Sequence, residues 1–214
     1  MKGKILALAL TLVLALSLVA CGGGGGGGGN SDKFEYGNGS DYIANNLKGD
    51  YSITYRYSTN SSEDYLDVTC ARTSAGYYYS YGDSEVLYIK NGNKYDTYFG
   101  STDGGFAKID LIEPKTEDEV KDSFIFVGWM SYYGAFASNM TKDGSTTIAG
   151  RNCDRYKYSW SYLGTAVRYV VCIDKSTGVC LKYTIDTAAG GEKGNLSFEC
   201  TEFKTSGVSL PAYN

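Results

Sequence analysis

From Tyr51 onward the chain alternates apolar and polar positions. Tyr51, Ile53, Tyr55 and Tyr57 are interleaved with Ser52, Thr54, Arg56 and Ser58, a period of two that predicts a strand with one apolar face. Leu66, Val68 and Cys70 alternate with Asp67 and Thr69 in the next strand, and Tyr77 to Tyr81 follow a turn at Gly76. Val86 to Lys90 and Lys94 to Phe99 flank Asn91-Gly92-Asn93, a hairpin signal because Asn and Gly tolerate positive φ. After residue 150 the alternation returns. Tyr156, Tyr158 and Trp160 form one face, then Val167, Tyr169, Val171 and Ile173, then Val179, Leu181, Tyr183 and Ile185, then Leu196, Phe198 and Cys200. A strand-like tail ends at Leu210-Pro211.

Two stretches break the period. Ser40 stands where an N-cap belongs, ahead of Asp41 to Leu47 with Gly49 as the stop, so a short helix precedes the first strand. Pro114, Thr116 and the acids Glu117, Asp118 and Glu119 mark a second helix entry, with negative charge at the positive end of the dipole. Behind it, Phe124, Ile125, Phe126, Val127, Trp129, Met130, Tyr132, Tyr133 and Phe136 are apolar on nearly every face, as in a buried helix. Gly128 and Gly134 divide that run into two short helices packed inside the sheet. The fold expected is mainly β (α+β), a curved antiparallel sheet or half-barrel of about nine to ten strands. An N-terminal helix and a helical insert would cover its concave face.

The beginning of the chain follows another logic. Lys2 and Lys4 precede an apolar stretch from Ile5 to Ala20, shorter than the roughly 20 residues a bilayer span needs. It closes on Leu18-Val19-Ala20-Cys21, which resembles the lipobox of bacterial lipoproteins. That resemblance implies cleavage before Cys21 and a diacylglycerol joined to its thiol. Gly22 to Gly29 then form a flexible tether with a root-mean-square reach of about 15 Å. No GK[ST] follows the run, so it does not read as a phosphate loop. The division expected is 1–20 as signal peptide, 21–39 as lipidated cysteine and tether, and 40–214 as a single β-rich domain anchored outside the cytoplasm.

Charge and composition narrow the function. Removing residues 1–20 leaves 18 basic against 24 acidic side chains, a sign that does not steer a protein to nucleic acid or anionic lipid. Tyrosine, at 21 residues against 2 tryptophans and 8 phenylalanines, suits half-buried strands where the ring packs and the hydroxyl reaches water. There is no histidine, so Ser-His-Asp and Cys-His arrangements are impossible and the commonest zinc ligand is missing. The acidic groups at Asp64 and Asp67, at Glu117 to Glu119, and at Glu199 and Glu202 read as solvated strand edges and a helix start. Neither Asn91-Gly92-Asn93 nor Asp174 to Gly178 has calcium-loop spacing. No cofactor, metal or catalytic residue is expected.

The order of a short helix, meandering strands, an apolar helical insert and a closing Phe203…Leu210-Pro211 resembles the bacterial lipoprotein-carrier superfamily. That family's half-barrel, closed by helices over an apolar concavity, implies a lipid or other apolar ligand. Phe124, Val127, Trp129, Met130, Tyr133 and Phe136 would then line the pocket from the roof, and Tyr55, Tyr79 and Tyr169 from the sheet. The rival reading is an interaction module whose exposed tyrosines contact a protein or a glycan. After Cys21 come Cys70, Cys153, Cys172, Cys180 and Cys200, with no C-x-x-C. A three-residue turn after Asp174 would set Cys172 opposite Cys180, where a disulfide is allowed but not demanded; a four-residue turn would set them diagonal.

Overall fold

The structure is a computed structural model, described here for residues 47, 49–59, 65–101, 104–123 and 139–213. The expected lipidation site Cys21, the N-terminal helix up to Asn46 and all six proposed roof residues lie outside the described residues.

Among the described residues, eleven antiparallel strands form one curved sheet that does not close. They are β1 (Tyr51–Thr59), β2 (Tyr65–Thr73), β3 (Gly76–Tyr81), β4 (Ser84–Asn91), β5 (Lys94–Ser101), β6 (Gly105–Lys108), β7 (Thr141–Ile148), β8 (Arg151–Tyr162), β9 (Thr165–Asp174), β10 (Cys180–Ala189) and β11 (Glu192–Lys204). Their order in space is β6-β5-β4-β3-β2-β1-β11-β10-β9-β8-β7. Two consecutive meanders are thus joined where β1 pairs with β11, and the outer edges are β6 and β7.

Strands β6 and β7 carry the count past the nine or ten expected. Neither shows the sequence signal of a half-buried strand: β6 is four residues long, and β7 reads TKDGSTTI with only Ile148 buried. An edge strand needs no alternation to pair on one side, and polar edges resist pairing with other chains. The hairpin at Asn91 is as expected, with Asn91 opposite Lys94 and Gly92 at φ 65°. Gly76 lies inside β3 rather than in the turn before it. A Cβ there would stand 1.9 Å from the Tyr88 carbonyl oxygen, so only glycine lets β4 approach.

Among the described residues there is one α-helix, α1 (Glu117–Asp122), which starts where the sequence placed it. Thr116 caps it in a reciprocal box with Glu119, and three acids occupy its first turn. No helix among the described residues is long and apolar enough to cross a membrane.

Register fixes which side chains share a face. Through the paired rows, Tyr51, Ile53, Tyr55 and Tyr57 align with Val68 and Cys70, then Tyr77 and Tyr79, then Val86 and Tyr88. In the other direction they align with Phe198 and Cys200, Tyr183 and Ile185, Val167, Tyr169 and Val171, then Tyr156, Tyr158 and Trp160. We call this the aromatic face. It is the concave one: the Tyr55 hydroxyl on β1 donates to the Cys180 carbonyl on β10 at 2.8 Å, reaching past β11. In a flat sheet those strands would be about 10 Å apart.

Bulges contribute the bend. Register shifts interrupt β1–β11 at Thr54/Tyr55, β9–β10 at Cys180/Lys182 and β7–β8 at Lys142/Ser145. The second decides the cysteine question. The turn after Asp174 holds four residues, closed by the Asp174 amide donating to the Val179 carbonyl. Cys180 therefore pairs with Ile173, and the bulge sets Lys182 opposite Cys172. The four-residue alternative is thus the one that occurs, Cys172 and Cys180 are not directly opposite, and no disulfide joins any of the five described cysteines.

Candidate functional site

The aromatic face has a buried floor and half-exposed flanks. At the floor, Ile53, Tyr55, Val68, Tyr169, Val171 and Leu181 are at most 1% exposed. Tyr158, Tyr169 and Tyr183 stack as neighbours on β8, β9 and β10, with successive centroids 6.2 Å apart. Tyr57 lies 4.8 Å from Phe198 on the neighbouring β11. Burying each such ring contributes roughly 1.5–3 kcal/mol. On the flanks Tyr57, Tyr79 and Val86 on one side, and Tyr156, Tyr158 and Trp160 on the other, keep part of their surface accessible.

Helix α1 stands against the β3–β5 side of this face. The Tyr77 hydroxyl donates to Glu117 Oε1 at 2.7 Å, Arg72 approaches the same carboxylate at 3.7 Å, and Val120 is fully buried. The Tyr77 hydrogen bond, aided by Lys121 and Arg72, holds Glu117 below the usual carboxylate range. At the far lower end, the Arg151 guanidinium lies 4.4 Å from the centre of the Phe203 ring and bonds Asp174 at 2.7 Å. Asp174 also accepts from Ser176 and from the Thr177 amide, so one carboxylate fixes the whole β9–β10 turn.

Of the sheet residues proposed from sequence, Tyr55 and Tyr169 lie in the floor and Tyr79 on a flank. All three share one face, but β3 and β9 are five strands apart, about 24 Å along the sheet. They are not one contact group. Sequence reading passed over the flanking Tyr57, Tyr156, Tyr158 and Trp160 as site residues, although their alternation was visible. Carrying the register through each hairpin would have placed them beside the three chosen.

The titratable groups do not assemble a reactive centre among the described residues. Burial pushes the Cys70 thiol up to about 12, Cys200 up to about 12 and Cys153 up to about 11, the opposite of what a nucleophilic thiolate needs. Lys108 holds Asp96 low, and Lys157 holds Asp143 low. Burial works against the charged form of Asp174, but Arg151, Thr177 and Ser176 outweigh it and keep the carboxyl below its ordinary value. A general acid would need the reverse. No group of three or more metal-ligating side chains is arranged to hold an ion among the described residues.

No protein-family model and no curated protein matches the chain. Solved structures with a partly similar course exist. The MucA/MucB complex of Pseudomonas aeruginosa superposes at a TM-score of 0.38 and 13% identity, over 81% of this chain and 58% of that one. The Mycobacterium tuberculosis lipoprotein LppX gives 0.36 and 14%, over 78% of this chain and 93% of that one. A putative outer membrane lipoprotein-sorting protein domain from Vibrio parahaemolyticus gives 0.23 and 11%, over 75% and 87%. Likeness at this level assigns neither a family nor a ligand.

Proposed function

We propose that this is a non-enzymatic binding protein of the bacterial cell envelope, held to a membrane by a lipidated Cys21. Its concave aromatic face takes a lipid or another apolar molecule. One observation carries the reading: a tyrosine-rich face extends from β4 to β8 of an unclosed sheet and keeps partly exposed rings on both flanks of a buried floor. Concave, mostly apolar surfaces with few polar groups are what apolar ligands require. The raised thiols, the depressed carboxylates and the missing histidine agree with a role in binding rather than in chemistry.

Native mass spectrometry of the full chain, extracted from its own membrane, should show a co-purifying lipid in addition to the anchor on Cys21. Tyr79→Ala and Tyr158→Ala should each weaken binding of a fluorescent fatty acid several-fold. A wild-type chain with no lipid adduct and no fatty-acid binding would sink the apolar-ligand reading. A Cys21→Ser chain that still partitions into detergent like the wild type would sink the anchor separately.

A second reading has its own support. Tyr65, Tyr81, Phe99, Tyr162 and Leu163 are between 45% and 86% exposed, and strand direction places them all at the end of the sheet opposite the start of β1. An exposed aromatic rim of that kind fits contact with a protein or glycan surface. Substitutions confined to the rim would then abolish partner capture and leave fatty-acid binding unchanged.

A further inference from the structure

Above the charged rows, a groove of about 780 Å³ crosses β8, β9, β10 and β11; its two outer rows carry polar-face side chains, and the row between them, Trp160–Val167–Thr187–Gly194, belongs by register to the aromatic face. One paired row, Ser159–Arg168–Asp186–Asn195, crosses it. The next row, Ser161–Ala166–Ala188–Lys193, supplies two alanines as a low floor with a lysine at its end. Lower on the same face, charge is matched pair by pair. Asp67 holds Arg56, Glu199 holds Lys182, and Asp143 holds both Arg155 and Lys157.

The groove departs from that rule. All five arginines of the chain fall in the described residues, and four are in ion pairs: Arg56, Arg72, Arg151 and Arg155. Arg168 is in none among the described residues, and neither is Lys193. Asp186, the cross-strand neighbour of Arg168, accepts instead from the Asn195 amide at 2.7 Å. Asp143, which feels the charge of Arg168, is already taken by Arg155 and Lys157. The groove thus holds two uncommitted cations and one acid in a chain whose formal net charge is −4.

We propose that this groove binds a small hydroxylated anion, a sugar carrying a carboxylate or phosphate. Its acid group would sit between Arg168 and Lys193, and its hydroxyls on the Asp186–Asn195 pair. Planar guanidinium groups bond two oxygens of such an acid at once. A carboxylate beside an amide offers acceptors and donors to neighbouring hydroxyls. The two cations stand on strands about 10 Å apart, with Asp186 and Ala188 of β10 between them and Ala166 beside Ala188, so the small side chains leave the space for a sugar ring next to the Asp186–Asn195 pair. The side chains assigned to the anion and its hydroxyls point away from the aromatic face, so the site does not depend on the proposed apolar ligand.

The test is a titration of the isotope-labelled full chain in detergent micelles with glucose 6-phosphate, glucuronate, glucose and inorganic phosphate, followed by amide shifts. Both sugar acids should move the amides of residues 159–161, 166–168, 186–188 and 193–195. Glucose should bind at least about tenfold more weakly, the scale of one charge-assisted contact. Arg168→Gln should weaken the sugar acids about tenfold and Lys193→Gln less, while Lys90→Gln, an exposed lysine of β4, should change nothing. No shifts in the groove, equal binding of glucose, or an Arg168→Gln chain that binds like the wild type would overturn the site. Inorganic phosphate binding as well as both sugar acids would overturn the sugar assignment.

Discussion

The two halves of the sheet solve the same problem differently. From β1 to β6 the strands are short, and the hairpins follow one another without a register shift. From β7 to β11 the strands run up to 13 residues, and all three bulges involve these strands. Four of the five described cysteines are there, as is the Arg151–Asp174 turn. The polar faces differ too. In the first half Leu87 is fully buried on that side, and Tyr213, near the chain's end, packs at 5.1 Å on Tyr98 of β5. In the second half the corresponding side sets ion pairs such as Lys182–Glu199 and Arg155–Asp143 around the buried Cys172. The first half depends on hairpin regularity, and the second depends on specific side chains that hold irregular backbone.

The largest test of this contrast sets a floor ring of the second half against a rim ring of the first. Tyr169→Ala should cost about 3–5 kcal/mol in urea unfolding, the usual range for losing a buried aromatic. Tyr81→Ala, at 45% exposure, should cost less than about 1 kcal/mol. Comparable losses would show that floor and rim are not distinct.

A smaller effect concerns the two carboxylates that pin turns. Asp174→Asn should cost about 2 kcal/mol, because Arg151 and its other donors lose a buried charged acceptor. Asp96→Asn, which releases only Lys108 and Asn91, should cost less. Both carboxyls are held below their ordinary value when folded. Their contribution is therefore complete above about pH 3.9, the unfolded aspartate value, and is lost as pH falls through the lower folded value. The stability gap between wild type and Asp174→Asn should close in that acid window; a gap that stays constant down to pH 2 would contradict it.

The smallest effect lies in the turns. Ala149 and Leu163 sit at φ 47° and 48°, each before a glycine that is also at positive φ, where Asn-Gly is the favoured pair. The β4–β5 hairpin of the first half fills its positive-φ position with Gly92. Ala149→Asn should raise stability by about 0.5 kcal/mol, read as a shift in the urea midpoint with unchanged slope. A loss would mean that Ala149 makes a contact worth more than the strain.

The same contrast explains what could be read in advance. Tyr51 to Tyr57 and Val167 to Ile185 were legible as strands because much of one face of each is wetted, and period two records that directly; Val86 to Phe99, where Leu87 and Tyr88 are both buried, was legible from the Asn91-Gly92-Asn93 turn instead. The capped start of α1 was legible because Thr116 and Glu119 carry a local bonding pattern. Strand β7 was not, since a polar edge leaves no alternation. The bulge at Leu181 was not either: Cys180 and Leu181 are both buried, and nothing in their identity announces an extra residue. The groove at Arg168 was illegible for a different reason. An unpaired arginine becomes visible only when the registers of four strands show which acids its neighbours have already claimed.

Pairing β1 with β11 has a consequence for how the sheet assembles. The Thr201 hydroxyl donates to the Thr54 carbonyl across 147 residues of chain, whereas every other strand pair is a hairpin between consecutive strands. Nearly all the loop-closure entropy of the fold is thus concentrated in one seam, which waits for the last strand to be made. Spatially, the order β7 through β11 followed by β1 through β6 is an uninterrupted up-and-down meander. The start of β1 and the end of β11 lie side by side, Ser52 opposite Lys204. A chain rejoined there and opened between β6 and β7 would keep every strand pair and lose its one long-range closure, so the natural connectivity is a circularly permuted meander.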